Sequence, residues 1–456
     1  MAKQKTIWCC KECGHTQSKW SGSCFACKKW DTLAEEVEVS DKGSRFTTVR
    51  LEGSRPLPLK EITIHEMPRI ETKMIELDQL LGGGIVKGSL SLIAGDPGIG
   101  KSTLLLQLSE SFAKQGNVVL YVCGEESIQQ TSMRAKRLGV QSETLYLLSE
   151  TLFSTIKRYV EELKPDILII DSIQILYKAE IPSAPGSVAQ VREIAMEFLH
   201  LAKGMGIATF LIGHVTKSGE IAGPRVLEHI VDTVLEFEGD RQHGFRILRS
   251  VKNRFGPTDD ISLFQMSAKG LVEIRNPSEV FLQERTKESA GAVIVPTVEG
   301  ARAILIEVQA LVAPSAFATS TRRSTGLDQN RLALLLAILE KRVGYTLHHS
   351  DLFVSVAGGM KILEPALDLG IIMAVASSFS NRAVDPATVV LGEVGLGGEV
   401  RRVPRIENRI KEAQHMGFSR AIVPKKNLEA LPSALKQKIE VIGVDRVEEV
   451  IDVLIR

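Results

Sequence analysis

Between residues 61 and 274, short apolar runs alternate with stretches in which apolar residues recur every three or four positions. An apolar run bounded by turn residues suits a strand buried on both faces, and the longer period suits a helix with one buried side. The pattern predicts strands at 90–94, 118–123, 167–171 and 209–214, with helices at 102–115, 127–138, 152–163 and 188–203. Such alternation predicts an α/β unit with a mostly parallel central sheet. The pattern breaks at Asn276, Pro277 and Ser278. A further unit opens with strand-like 292–295 and 303–312, turned at Glu299 and Gly300. Helix-like 330–342, 364–379, 404–416 and 447–454 follow, with short strands between.

Upstream, residues 1–33 are rich in Cys, Lys and Trp. Residues 34–60 carry acidic, Gly, Ser and Pro residues with little period and read as a linker. The expected organisation is a module at 1–33, a linker at 34–60, an α/β domain at 61–275 and an α+β domain at 285–456. The net charge of +1 excludes a uniformly basic nucleic-acid coat, so any such contact must come from local patches. No apolar run approaches the roughly 18 residues of a membrane span. No apolar stretch follows the basic start, so no signal peptide is expected. These features predict a cytoplasmic protein without a membrane partner.

Five of the six cysteines precede residue 28. Without a secretion signal, that clustering favours metal ligation in a reducing compartment over disulfides. Cys10 and Cys13 form one pair with two intervening residues, and Cys24 and Cys27 form another. Each spacing lets one tight turn aim two thiolates at a single zinc ion, and four such ligands complete its tetrahedron. Cys9 could replace Cys10, but the two-residue spacing favours Cys10. With all four positions taken by Cys, the metal is structural. Lys11, Lys19, Lys28, Lys29, Trp20 and Trp30 suit a docking or DNA-contact role, and equally a solvated basic face.

Gly95, Asp96, Pro97, Gly98, Ile99, Gly100, Lys101, Ser102 and Thr103 make a complete P-loop between an apolar strand and an amphipathic helix. The glycines let backbone amides turn toward phosphate oxygens, and the helix N-terminus adds partial positive charge. Lys101 is expected to reach the β and γ phosphates of ATP, and Ser102 to ligate Mg²⁺. Asp171 ends the apolar run 167–171 and is the expected second holder of the Mg²⁺ shell. Glu125 closes the strand after the P-loop helix and is the candidate general base. Glu126 beside it better suits a helix N-terminal acid. At the end of the 209–214 strand, His214 could sense the γ-phosphate or simply be a hydrogen-bonded core histidine.

The P-loop, Glu125 and Asp171 together resemble RecA-like recombinases and ring helicases. Several segments narrow the likeness: the paired cysteines, Tyr121 to Ser127, Gly213 to Lys217, and Lys252-Asn253-Arg254-Phe255-Gly256. Over essentially the whole chain the sequence resembles the bacterial RadA (Sms) DNA-repair family. The resemblance implies a RecA-like core, an N-terminal zinc-ribbon-like module and a C-terminal Lon-protease-like domain. It implies a homo-hexamer that hydrolyses ATP while moving on single-stranded and branched DNA and promotes branch migration beside the RecA recombinase. By the same analogy, Lys252 and Arg254 would reach a nucleotide held by the neighbouring subunit. A solvated basic edge is the alternative for them.

Loops 181–187 and 217–225 correspond to channel-lining loops, which makes Lys217 and Arg225 candidates for DNA phosphate contact. Arg322, Arg323 and Arg331 are further candidates, against a solvated charge cluster. In the Lon-like part, the family's serine nucleophile falls on Ala366 and its lysine on Arg409. Neither can do the serine–lysine chemistry. The expected domain is therefore an inactive scaffold. An ATP-dependent peptidase, and a nucleotide-gated platform with negligible turnover, remain the competing readings.

Overall fold

Strands β1 (Gln4–Cys10), β2 (Thr16–Gln17) and β3 (Leu33–Val39) form an antiparallel sheet in the order β2-β1-β3. This computed structural model describes the chain except residues 1–3, 11–15, 18, 26–27, 31–32, 40–67, 215–225, 240–243, 259, 284, 287, 316–319, 358–361 and 456. The chain divides into two compact units, Met1–Ile64 and His65–Arg456. In the first, β3 pairs with β1 along its whole length. The stretch read as a linker from residue 34 therefore begins as a strand. Only Glu36-Val37-Glu38-Val39 alternates within it, a period-two signal too short to stand out against the acidic composition.

The second unit opens with the short pair β4 (Arg69–Ile70) and β5 (Ile85–Val86), flanking helix α1 (Ile75–Leu81). Its larger sheet contains β6 (Leu90–Gly95), β7 (Val119–Cys123), β8 (Leu145–Leu148), β9 (Ile167–Asp171), β10 (Ala208–His214), β11 (Thr233–Glu238), β12 (Phe245–Asn253), β13 (Ile261–Ser267) and β14 (Gly270–Ile274). The order is β14-β13-β12-β11-β6-β10-β9-β7-β8. The six strands from β11 to β8 run parallel, and β12 to β14 extend the sheet as an antiparallel ribbon. The four central strands read as near-continuous apolar runs because helices cover both faces. On one face lies α2 (Lys101–Lys114), burying Leu104, Leu105, Leu108 and Phe112 at helical spacing. Each such side chain contributes about 1.5–3 kcal/mol on burial. On the other face lie α4 (Phe153–Leu163) and α5 (Val188–Met205), while α3 (Ile128–Arg137) follows β7.

After α6 (Pro277–Leu282) a second sheet contains β15 (Ala292–Glu299), β16 (Arg302–Pro314), β17 (Arg322–Thr325), β18 (Ser350–Val356), β19 (Thr388–Val390), β22 (Arg420–Pro424) and β23 (Glu440–Val444); a separate hairpin joins β20 (Glu393–Val394) to β21 (Val400–Arg401). The order is β17-β18-β16-β15-β19-β22-β23. Helices α7 (Gln329–Ile338), α8 (Asp368–Ser380) and α9 (Ile406–His415) accompany it. Helix α8 is apolar on nearly all sides and buried from Asp368 to Ser377. The two sheets share one core, in which Ile261, Leu263 and Ile274 of the ribbon join the residues of the second sheet. Ion pairs tie the junction, Arg302 with Glu76 and Arg249 with Glu299 at 2.9 Å. No helix among the described residues is long and apolar enough to cross a membrane.

Candidate nucleotide site

The parallel strands all end on the same side, and the P-loop, Glu125, Asp171 and His214 sit at four of those ends. The P-loop turns on Gly95, Gly98 and Gly100, with φ of 150°, 75° and 124°. A Cβ on Gly95 would stand 2.6 Å from the Phe237 carbonyl, so only glycine fits beneath the loop. Ile99 buries its side chain and anchors the loop, and its carbonyl accepts from Nε of Arg246 at 3.1 Å. Pro97, Gly98, Gly100, Lys101, Ser102 and Thr103 line an open cavity of about 430 Å³ together with Glu125, Asp171 and His214. A cavity of this size suits a nucleotide.

The Lys101 amine donates to the carbonyls of Gly95 at 2.7 Å and Asp96 at 2.9 Å, and lies 3.1 Å from Nδ1 of His214. With the ammonium donating to Nδ1, the ring proton sits on Nε2, which faces Oε1 of Glu125 at 3.0 Å. Burial pushes Lys101 down to about 8 against the pull of Asp171, Glu125 and Asp96. Glu125 accepts from His214 and from the Ser172 hydroxyl, and these contacts hold its carboxyl down at about 2. It is therefore an anion at any working pH. Glu126 instead pairs with Arg134, one residue before the capping box of Ser127 and Gln130 that starts α3. This is the helix-terminal place its sequence position suggested.

Asp171 carries a carboxyl raised by burial, with hydrogen bonds from Tyr121 and Ser102 opposing the shift. The amide of Gly124 donates to its carbonyl at 2.9 Å, which fixes the ends of β7 and β9 together. A Cβ on Gly124 would stand 1.9 Å from the Ile175 side-chain end, so a larger residue there would have to push that side chain aside. A hydroxyl and a carboxylate facing one cavity are the hard oxygen donors that Mg²⁺ takes. Ser102 and Asp171 would hold it there, where it would neutralise phosphate charge.

Lys252 and Arg254 lie at the other end of the sheet. Asn253 pairs with Thr233, which pairs with Ser91 near the start of β6, whereas the P-loop leaves from its end. At about 3.3 Å per residue, β6 alone separates the two ends by roughly 16 Å. Lys252 donates to the carbonyls of Glu228 at 2.5 Å and Val231 at 2.8 Å. Arg254 reaches Oδ1 of the buried Asp232 at 3.1 Å and is otherwise exposed.

Arg331 is tied into the fold. Its guanidinium holds Asp368, a carboxylate only 1% exposed, through two donors and also bonds the Val394 carbonyl at 3.2 Å, so its donors serve the fold. Arg322 lies 3.7 Å from Glu340, and Arg323 is exposed on the edge strand β17. Lys217 and Arg225 lie outside the described residues, as do Cys13 and Cys27. Cys10 ends β1, and Cys24 is buried in a turn closed by the Lys28 amide on its carbonyl at 2.9 Å. A buried thiol in a tight turn suits a thiolate ligand.

Three family models match the chain. An AAA domain covers residues 55–220, the C-terminal proteolytic domain of Lon protease (S16) covers 345–456, and a rubredoxin metal-binding domain covers 8–35. The DNA repair protein RadA of Halalkalibacterium halodurans is 51% identical over 457 residues, spanning 99% of both chains. That of Bacillus subtilis is 50% identical over 98% of both, and that of Chlamydia muridarum 50% over 99% of both. The chain belongs to the RadA DNA-repair family. Its ATPase domain is the RadA P-loop core described above, and its C-terminal sheet is the Lon-like part. Ala366 is buried and Arg409 has no exposed surface. The Arg409 guanidinium is paired with Glu364 and bonds the carbonyls of Pro296 at 2.6 Å and Pro404 at 3.1 Å.

Proposed function

We propose that this chain couples ATP hydrolysis to movement along DNA and promotes branch migration of recombination intermediates beside the RecA recombinase. The observation that carries the reading is a division within one sheet. Lys101, Ser102, Glu125 and Asp171 share one cavity, while Lys252 and Arg254 sit at the far strand ends. One chain cannot bring both sets to one nucleotide. A ring in which each subunit offers Lys252 and Arg254 to its neighbour's ATP joins them, as arginine fingers do. Six subunits, single-stranded and branched DNA as track, and zinc on Cys10, Cys13, Cys24 and Cys27 complete the reading. Arg323 is the DNA-contact candidate that the exposed edge of the Lon-like part supports best.

The test is ATP hydrolysis by the full chain with no DNA, with single strands and with duplex. Single strands are expected to stimulate it, and Lys101→Ala to abolish it. Hydrolysis indifferent to every DNA would remove the motor reading. Sharing of sites has its own test. Lys101→Ala and Lys252→Ala chains, each inactive alone, are expected to regain hydrolysis when mixed before assembly, because some interfaces then hold an intact pair. A mixture as inactive as its components would place Lys252 outside the neighbour's site.

A peptidase reading is motivated by the Lon protease match at 345–456. The buried Ala366 and the ion-paired Arg409 speak against it. No cleavage of an unfolded protein is expected with ATP present, and ATP-dependent cleavage lost in Arg409→Ala would reverse this.

A further inference from the structure

We propose that Tyr121 is a positioning residue for the carboxylate of Asp171, and through it for Mg²⁺; the inference rests on the reading of Asp171 as a holder of that ion. Cys123 on β7 stands in register with Asp171 on β9. Side chains alternate along a strand, so Tyr121 shares a sheet face with Cys123. Its phenol runs up that face and ends 2.6 Å from Oδ2 of Asp171. The Tyr121 side chain has no exposed surface and belongs to the apolar cluster that includes Leu104, Leu105 and Leu108 of α2. A phenylalanine would fill the same space without a polar atom to satisfy. The hydroxyl at this position is directed onto one carboxylate oxygen at the floor of the nucleotide cavity.

The carboxylate needs such a donor. The last torsion of an aspartate is broad and roughly two-fold, so packing alone does not fix the plane of its oxygens. Tyr121 on β7 and Ser102 on α2 both hydrogen-bond it. Two donors from two different elements define the plane. With the Ser102 oxygen given over to Mg²⁺, Tyr121 would be the remaining side-chain donor to the carboxylate among the described residues. Partners that orient a metal-binding carboxylate typically change metal affinity by about 10–100-fold when removed.

The experiment follows binding of a fluorescent ATP analogue to the full-length chain while Mg²⁺ is titrated in. Tyr121→Phe is expected to raise the Mg²⁺ midpoint about tenfold, with binding in the absence of Mg²⁺ unchanged. The same substitution made in an Asp171→Asn background is expected to add nothing, since its effect passes through that carboxylate. A hydroxyl that merely satisfies the core would lower the thermal midpoint and leave the Mg²⁺ titration in place, and that result overturns the proposal. So does an equal shift in both backgrounds. An Asp171→Asn chain with an unaltered Mg²⁺ midpoint would remove the reading of Asp171 itself, and this inference with it.

Discussion

Glu125→Gln is expected to bind ATP as the unaltered chain does and to hydrolyse it about 10²–10⁴-fold more slowly, the contribution usual for a positioned general base. The substitution is nearly isosteric. The glutamine oxygen can still accept from Nε2 of His214 and from the Ser172 hydroxyl, so the contacts that now hold Glu125 survive. Only the anionic base is lost. Phosphate release and analogue binding, measured on the same preparation, separate the two effects. A variant that hydrolyses within tenfold of the original would move the base elsewhere. A variant that no longer binds ATP would make Glu125 a binding group. The low value of about 2 adds a constraint. While His214 and Ser172 hold the carboxylate it is a weak base, and it gains basicity only as those bonds loosen. Lys101 meets this network through His214. Its three donors are committed to Gly95, Asp96 and His214, and a phosphate oxygen must displace one.

The nucleotide site was legible where its chemistry is local in sequence. The P-loop is a contiguous signature in which the glycines, Lys101 and Ser102 each have one physical reason to be there. Asp171 and Glu125 needed only the strand ends to be located, and apolar runs mark those well. What escaped was contact across the sheet. Tyr121 reads as a core residue in an apolar strand, and nothing local says that its hydroxyl meets Asp171 fifty positions later. His214 could be read two ways, and only the fold places it between Lys101 and Glu125. Strands β11, β13 and β14 were also missed, since their alternating or mixed patterns carry less signal than the buried runs, and β8 was missed because a four-residue apolar run is too short to read as a strand. Arg331 shows the converse case. An arginine at the start of a helix looks like a free cation until its partner, buried Asp368, is found thirty-seven positions on. The paired cysteines gave a spacing, and the rubredoxin-type match at 8–35 agrees with a metal there.

Glu364→Ala is expected to destabilise the fold by about 3–5 kcal/mol, the usual effect of removing one partner of a buried ion pair. The asymmetry of the pair makes this the more damaging of the two deletions. Arg409 has no exposed side-chain surface, whereas Glu364 keeps some contact with solvent. Without the carboxylate, the guanidinium keeps only the carbonyls of Pro296 and Pro404. Glu364 also accepts from the Thr297 hydroxyl and the Val298 amide, both at 2.9 Å, so its loss unties the strand β15 as well. Denaturant unfolding of the full chain reads the effect, and a change within 1 kcal/mol would mean that solvent reaches Arg409 readily. The same pair predicts the outcome of rebuilding a protease. Ala366→Ser with Arg409→Lys restores the two residue types of a serine–lysine site. A lysine acts as the base only when neutral, and beside Glu364 in a buried pocket it is held as a cation. The double variant is therefore expected to cleave nothing. A triple variant that also carries Glu364→Gln is the one in which peptidase activity would first be sought.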